Sequence, residues 1–325
     1  MKKNKKNPHV AIVVTVKDES RSIGILLDSL ERQTTVPKEI IIVDGGSSDR
    51  TVNVIKEKMT KDKRIKLIVR KGVSIAKGRN IGVLNSTSNI IAMTDAGCIA
   101  DKDWLFSVTK PLLTNPKIGI VAGSYKMTGK SLFQEAIKPY LGIPHKLATS
   151  SNFLPSARSM AFRKSVWKKI GGFSESLDRT GEDTLFNYQA KKKGIQFYFV
   201  MKAIVEWEIP RKLGEVFKKF YYYARGDAQT EIWWHPEKKL TTHNIKIMAI
   251  YFRYLVGLIF LSLSLICYAF LKILICLIVL YITWAILKNY YKIEKKSAIV
   301  LSPIIQIVSD IAVMFGFACG ILSKL

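Results

Sequence analysis

The sequence is short of acid and of histidine: 25 Asp and Glu stand against 51 Lys and Arg, with four His in 325 residues. It is also poor in cysteine. Of its four, Cys267, Cys276 and Cys319 fall in the apolar C-terminal third, and only Cys98 lies elsewhere. There is no CxxC pair and no His/Cys cluster at zinc spacing. The sequence therefore gives no sign of a structural zinc site or a disulfide framework, and a reducing, cytosol-facing location fits. The stretch "VTVKDESRSIG" carries no GxGxxG spacing after the first strand-like run, which excludes a nucleotide-dependent dehydrogenase. Internal repeats are absent too.

The resulting net charge of +26 does not imply a nucleic-acid partner. Lysines are scattered along the whole chain, and a cytosolic domain tied to a membrane also tends to be basic. What the chain does have is apolar residues: 48% are hydrophobic and the mean hydropathy is +0.13, high for a soluble protein. Residues 1–8 form a basic tail. The run Val10 to Val16 that follows is too short, and too soon interrupted by "KDES", for a signal peptide or a span.

The first half alternates. "VAIVVTV", "EIIIVD", "RIKLIV", "NIIAMTD" and "IGIVAGSY" read as strands. Between them, "RSIGILLDSLERQ", "SDRTVNVIKEKM", "VSIAKGRNIGVLN" and "DWLFSVTKPLL" read as helices, the second with Ser47 or Ser48 as its expected cap. Continuous apolar strands alternating with helices predict an α/β fold, a mostly parallel sheet covered on both faces. Such sheets bind ligands at the carboxyl ends of their strands, and Asp44 and Asp95 both stand at such ends. From about Met127 the pattern loosens, ending in a strand-like "IQFYFVMKAIVEW".

Residues 209–244 read as an amphipathic region lying in the membrane interface. Its helix "RKLGEVFKKFYYYARGDAQ" puts Leu213, Val216, Phe217, Phe220 and Ala224 on one face, with basic residues among aromatics. Residues 245–325 read as membrane. Leu255 to Leu287 is apolar apart from Lys272 and would be about 50 Å long as one helix, against a hydrocarbon core of about 30 Å. A hairpin of spans at about 255–271 and 273–287, turning near Lys272, is expected. A third span covers 298–322 after the positive, cytosolic "KNYYKIEKK". Asp310 within that span is costly facing lipid, so pairing with a polar neighbour is expected.

Two carboxylates at neighbouring strand ends can hold a nucleotide and a hard cation. A third acidic site, Glu182-Asp183, stands at an expected helix start, where acid can equally complement the helix dipole. Taken in order, "VVTVKDES", "IIIVDGGSSDRT", "GRNIG", "TDAGC" and "GGFSESLDRTGED" resemble the motifs of family 2 glycosyltransferases with the GT-A fold, over residues 9 to 226. "YYYARGDAQ" resembles a membrane-anchored subgroup with C-terminal transmembrane helices.

The resemblance implies a GT-A domain over 9–208 and an inverting hexosyl transfer from a nucleotide-sugar, UDP-linked, to a lipid-linked or cell-surface glycan. It would sit in the cell membrane as a multi-pass protein with the catalytic domain cytoplasmic. Asp44 would recognise the nucleobase, helped by Glu19 and the backbone at Thr15 and Val16. Arg79 would lie near the donor, and Asp95 would contact ribose and metal as the first DxD aspartate. Asp183 would be the catalytic base, with Glu182 beside it. Arg158, Ser159 and Arg225 are candidates for the acceptor or diphosphate side. The implied cofactor is a divalent cation, Mg or Mn. Against it, the second DxD position is Gly97, and Trp207 stands near the place where many relatives carry a metal-binding histidine. Asp101, Glu206, Glu208 and His235 are the groups that could compensate. The alternative is a membrane scaffold that keeps the nucleotide-binding fold without turnover.

Overall fold

The computed structural model describes residues 9–143, 145–149, 153–177, 179–235 and 240–324. The basic tail lies outside them, and so does the side chain of His235. The chain divides into two units, Met1–Thr128 with His145–Glu208, and Gly129–Pro144 with Ile209–Leu325.

In the first unit β1 (Val10–Val16), α1 (Ile23–Glu31), β2 (Glu39–Asp44), α2 (Thr51–Lys61), β3 (Ile65–Val69), α3 (Ile75–Asn85) and β4 (Ile90–Met93) alternate as the periodicity predicts. β1 pairs in parallel with β2 and β4, and β2 with β3. Residues Val10–Val14 and Ile40–Val43 are almost wholly buried. A strand buried on both faces needs helices on each side, so these β-branched runs and the helices between them require one another. Gly82 shows how closely they meet: a Cβ there would lie 2.4 Å from Cγ1 of Val13. α3 thus lies flush on β1.

The rest of this unit adds β5 (Cys98–Ala100), α4 (Trp104–Thr114), β6 (Ile118–Thr128), β7 (Met160–Arg163), α6 (Lys164–Ile170), α7 (Glu182–Lys192) and β8 (Gln196–Glu208); α5 (Leu132–Leu141) belongs to the second unit. The eight-stranded sheet runs β3-β2-β1-β4-β7-β6-β8-β5. β6 and β8 are parallel, whereas β7 is antiparallel to β4 and β6, and β5 to β8. The sheet is therefore parallel in its first half and mixed in its second. Hydrophobic period cannot show this, because a strand reads alike in either direction. Packed Phe162, Phe173 and Phe186 anchor α7 to the sheet, with ring centroids 4.5 to 6.1 Å apart.

Ser47 and Ser48 do not cap α2. Their hydroxyls donate to Asp44 and Asp18, and the Thr51 N–H is met instead by Asp49 Oδ1 at 2.9 Å. The serines tie two loops together instead; Arg50 stands at the N-cap with no side-chain cap bond, and Asp49, one residue before it, meets the first helical N–H.

The second unit carries α8 (Leu213–Thr230), the short β9 (Trp234–His235) and β10 (Leu240–Thr241), then α9 (His243–Ser264), α10 (Tyr268–Tyr290) and α11 (Ser302–Leu322). Three helical segments among the described residues are long and apolar enough to cross a membrane: His243–Ser264, Tyr268–Tyr290 and Lys296–Leu322. The expected turn near Lys272 is corrected, since the break falls at Leu265–Cys267, where Cys267 is extended (φ −140°, ψ 125°). Lys272 instead stays helical with its ammonium 5.3 Å from the Tyr268 ring centroid, the stem lying along apolar surface.

α9 also starts twelve residues before the expected Leu255 and takes in Arg253. That charge is tolerated because Arg253 pairs with the buried Asp310 at 2.5 Å, where Tyr281 (2.7 Å) and Gln306 (2.8 Å) also donate. The expected polar partner of Asp310 is this network.

α8 packs on α11. A Cβ at Gly316 would lie 2.1 Å from the Tyr221 carbonyl oxygen, and one at Gly320 would lie 2.6 Å from that of Arg225. Two glycines one turn apart let the backbones touch. The apolar face read as membrane-seeking includes Val216, Phe220 and Ala224, which are buried.

Candidate active site

At the carboxyl ends of β1, β2 and β4 the strand order reverses, with β2 on one side of β1 and β4 on the other. That is where an open α/β sheet leaves a crevice. Thr15, Val16 and Asp44 end β1 and β2 in register, Val16 opposite Asp44. Asp95 follows β4 by two residues.

Asp44 is fully buried, and its carboxylate accepts from the backbone N–H groups of Gly46 (2.9 Å) and Ser47 (3.0 Å) and from the Ser47 hydroxyl. The Ser47 Oγ in turn accepts from Asp18 N–H at 2.8 Å, and Asp18 accepts from Ser48 N–H at 2.7 Å. Asp18 sits in the left-handed region (φ 54°) to make this exchange. The loop after β1 is thereby stitched to the loop after β2. Glu19 belongs to the same loop; its N–H donates to Thr51 Oγ1 at 2.8 Å, while its carboxylate accepts from Ser22.

The centre of the site is Arg79. It is buried, donating to Asp95 Oδ1 at 3.0 Å and pairing with Glu182 at closer range. α3 carries Arg79, the β4 terminus carries Asp95, and the first turn of α7 carries Glu182 and Asp183. Burial pushes the Glu182 carboxyl up to about 7; Arg79 opposes this, while Asp183 and Asp95 add to it. Asp183 is half-buried, accepting from Ala157 N–H at 3.3 Å and Thr184 N–H at 2.8 Å. Sequence reasoning placed Arg79 near the donor but missed that it binds two of the acids. Its position five residues after the Ser74 cap, inside a predicted helix, carried no sign of a partner 103 residues away.

Arg158 stands on the other side of Asp95, its Nε 3.9 Å from Oδ2. Its guanidinium lies 4.1 Å from the Trp207 ring centroid and 5.5 Å from that of Tyr125. Trp207 pairs across the sheet with Cys98, three residues after Asp95. Burial pushes the Cys98 thiol up to about 12, so it is inert.

One expectation is corrected. Ser159 does not line a cleft: it is 1% exposed, its hydroxyl accepting from Trp104 Nε1 and donating to the Ala203 carbonyl, both at 2.9 Å. Alternation along the chain into β7 turns it to the core while its neighbour Arg158 faces out. Arg225 lies on α8, which belongs to the second unit.

A divalent cation needs several oxygen or nitrogen ligands converging on one point. Among the described residues no three His, Cys, Asp or Glu side chains do so. Asp95 offers one carboxylate, with an arginine facing each of its oxygens. Gly97 offers none, and a Cβ there would meet nothing within 4 Å. Trp207 is not a ligand type. Glu206 and Glu208 are exposed, and Asp101, also exposed, accepts from the Asp103 N–H. Among the described residues, the side chains at this point do not by themselves make up a protein-held cation site.

The profile described as Glycosyl transferase family 2 matches residues 11–171, and that of Glycosyl transferase family group 2 matches 143–291. The chain belongs to glycosyl transferase family 2. A poly-beta-1,6-N-acetyl-D-glucosamine synthase of Staphylococcus epidermidis is 25% identical over 226 residues, covering 67% of this chain and 54% of that protein. The succinoglycan biosynthesis protein ExoA of Rhizobium meliloti (strain 1021) is 23% identical, covering 67% of this chain and 68% of ExoA. The match thus spans about half the length of the synthase.

Among solved structures, the mannosyltransferase PcManGT from Pyrobaculum calidifontis, in complex with GDP-Man and Mn2+, has a TM-score of 0.61 at 16% identity. It covers 98% of this chain and 88% of its own. GalNAc-T7, solved with UDP, GalNAc and Mn2+, gives 0.53 at 12% identity over 72% of this chain and 49% of its own. The family 2 chain has the mixed, curled α/β sheet of GT-A glycosyltransferases.

Proposed function

We propose that this family 2 chain is a membrane-anchored inverting glycosyltransferase. It moves a hexosyl group from a nucleoside diphosphate, UDP by preference, to a lipid-linked or cell-surface glycan acceptor in cell-envelope glycan biosynthesis. The observation that carries this reading is the Arg79 hub. One buried guanidinium gathers Asp95 and Glu182, and with Glu182 comes Asp183, at the carboxyl ends of the parallel strands. Thr15, Val16, Glu19 and the Asp44 turn form the nucleotide end, and Asp95 faces the ribose and diphosphate.

In the reaction the acceptor oxygen bonds to the anomeric carbon and its proton passes to Asp183. The carbon–oxygen bond to the diphosphate breaks, and the nucleoside diphosphate leaves with the electron pair. One base and no enzyme nucleophile invert the anomeric centre. No step is routed through a divalent cation, because among the described residues Asp95 is the one carboxylate at that point and no group of three ligands forms. The three apolar helices and the positive Lys288–Lys296 segment support a multi-pass protein with the catalytic unit in the cytosol. An acceptor held in the bilayer is then presented at a raised local concentration.

Gly97 and Trp207, at the places of two metal ligands, favour one other reading, a scaffold that binds a nucleotide without turnover. Asp183→Asn in the full chain, purified in detergent and offered a panel of labelled nucleotide-sugars, separates the two. Transfer is expected to fall by about 10²- to 10⁴-fold while nucleotide affinity changes less than about threefold. Wild-type protein that binds a nucleotide-sugar but transfers nothing supports the scaffold.

A further inference from the structure

The helices α9, α10 and α11 hold Lys246, Arg253, Lys272 and Lys288 but a single acid, Asp310. Three of these charges are gathered into one polar chain. Lys288 Nζ donates to Gln306 Oε1 at 3.2 Å, and Gln306 Nε2 donates to Asp310 Oδ1 at 2.8 Å. Arg253 closes the chain on Asp310 Oδ2 at 2.5 Å. Each helix contributes a member, and Asp310 stands about 12 Å along α11 from its first residue.

An ion pair that only locked the bundle would need Arg253 and Asp310 alone. Lys288 is the surplus charge. The charged groups that act on it are Asp310, Arg253 and Lys292, so two cations face it for one carboxylate. Its ammonium has three N–H donors, and the side chain it donates to is that of Gln306. Arg253 also has capacity to spare. Its side chain is 33% exposed, and its buried Nε has no hydrogen-bond partner among the described residues.

The two cations share an aromatic wall. The Trp284 ring centroid lies 5.1 Å from the Arg253 guanidinium carbon and 4.7 Å from Lys288 Nζ. Tyr140 adds a second ring 5.6 Å from the same ammonium. Leu280, Trp284 and Leu287 follow helical spacing and are exposed, so an apolar strip of α10 ends at Lys288. Lys288 itself is exposed, two residues before the end of α10, where the positive Lys288–Lys296 segment begins.

With these helices in a bilayer, we infer that Lys288 and Arg253 receive the phosphate of an anionic lipid. Basic pockets between spans at the cytoplasmic end suit such head groups. A phosphate carries several oxygens, so it meets an ammonium and a guanidinium together, and its charge offsets the surplus. The strip of Leu280, Trp284 and Leu287 gives the lipid chain its place. The inference rests on the membrane reading and not on sugar transfer.

The test is native mass spectrometry and thermal unfolding of the delipidated full chain in detergent. The added probes are phosphatidylglycerol, an isoprenoid monophosphate, phosphatidylcholine and inorganic phosphate. The first two are the two sources of an anionic lipid phosphate. At least one is expected to bind about tenfold or more tighter than zwitterionic phosphatidylcholine, and the tighter one identifies the source. Equal binding of both leaves phosphate as the recognised group.

Lys288→Met, which keeps an apolar stem, is expected to weaken that lipid about 5- to 10-fold. Without lipid, its Tm should stay within about 2 °C of wild type. Lys288→Gln serves if the methionine variant does not fold, and Lys288→Arg should bind within about threefold of wild type.

Equal binding of anionic lipid and phosphatidylcholine overturns the inference, as does an affinity unchanged in Lys288→Met. A fall in lipid-free Tm well beyond 2 °C, with binding of the folded variant unchanged, marks a lysine that only braces Gln306. Inorganic phosphate bound as tightly as the lipids also overturns it, because the chain then adds nothing. Failure of the full chain to float with phosphatidylcholine vesicles removes the membrane reading itself. A protein that binds anionic lipid but transfers no sugar leaves this inference standing and removes the transferase reading.

Discussion

Arg79 and Glu182 are 103 residues apart in sequence and share a buried ion pair. The pair locks α3 to the start of α7, and with Asp95 on the same guanidinium it decides where three acids stand.

Removing Arg79 should therefore have a pH-dependent cost. Glu182 titrates at about 7 in the fold against an ordinary 4.5, so its contribution to stability is complete below about pH 4.5 and is lost as pH rises through 7. Arg79→Met takes away the opposing charge and raises that carboxyl further. Its cost is expected to be about 3 kcal/mol at pH 8 and smaller at pH 5.5, where Glu182 takes up a proton. Thermal unfolding at both pH values checks this, and adding Glu182→Gln should abolish the difference.

Glu39 predicts the opposite sign. Burial alone would raise its carboxyl, but hydrogen bonds from Lys66, Thr87 and Ser86 outweigh burial and hold it at about 2. This stability is present above about pH 4.5 and is lost as pH falls toward 2. Lys66 is half-exposed, so the contribution is on the order of 2 kcal/mol. Glu39→Gln is expected to lower Tm at pH 7 and to flatten the acid limb of the stability curve.

The contact between α8 and α11 tests itself through glycine. Gly316→Leu and Gly320→Leu are each expected to cost about 2 to 3 kcal/mol or more, since the new side chains meet backbone oxygens that cannot move alone. Gly257→Leu, where nothing lies within 4 Å, is the control and should leave Tm within about 1 °C. The measurement is thermal unfolding of the full chain in detergent.

Gly97→Asp puts a carboxylate into open space beside Asp95. The variant is expected to fold with stability within about 0.5 kcal/mol of wild type. In calorimetry, Mn2+ should then raise its UDP affinity by about tenfold or more beyond any effect on the wild-type protein, because two carboxylates and a diphosphate make a hard-cation site.

Much of the parallel half of the fold is legible in the chain. The runs Val10–Val16 and Glu39–Asp44 can bury both faces only in a helix-covered sheet, so their alternation with amphipathic helices already implies it. The end of a strand is where its side chains leave the core, which is why Asp44 and Asp95 could be named from their positions. The span boundaries were less legible. Arg253 reads as a charge at which a membrane segment should stop, until Asp310, 57 residues later, neutralises it.

The sequence by itself determined the alternating α/β order, the strand-end acids and the apolar C-terminal third, because these depend on residues near one another in the chain. Only the tertiary structure decided that Arg79 joins Asp95 to Glu182, that Ser159 turns inward while Arg158 stacks on Trp207, and that α8 lies on two glycines of α11. Each of these is a meeting of residues far apart in sequence, and neither local periodicity nor charge carries the distance between them.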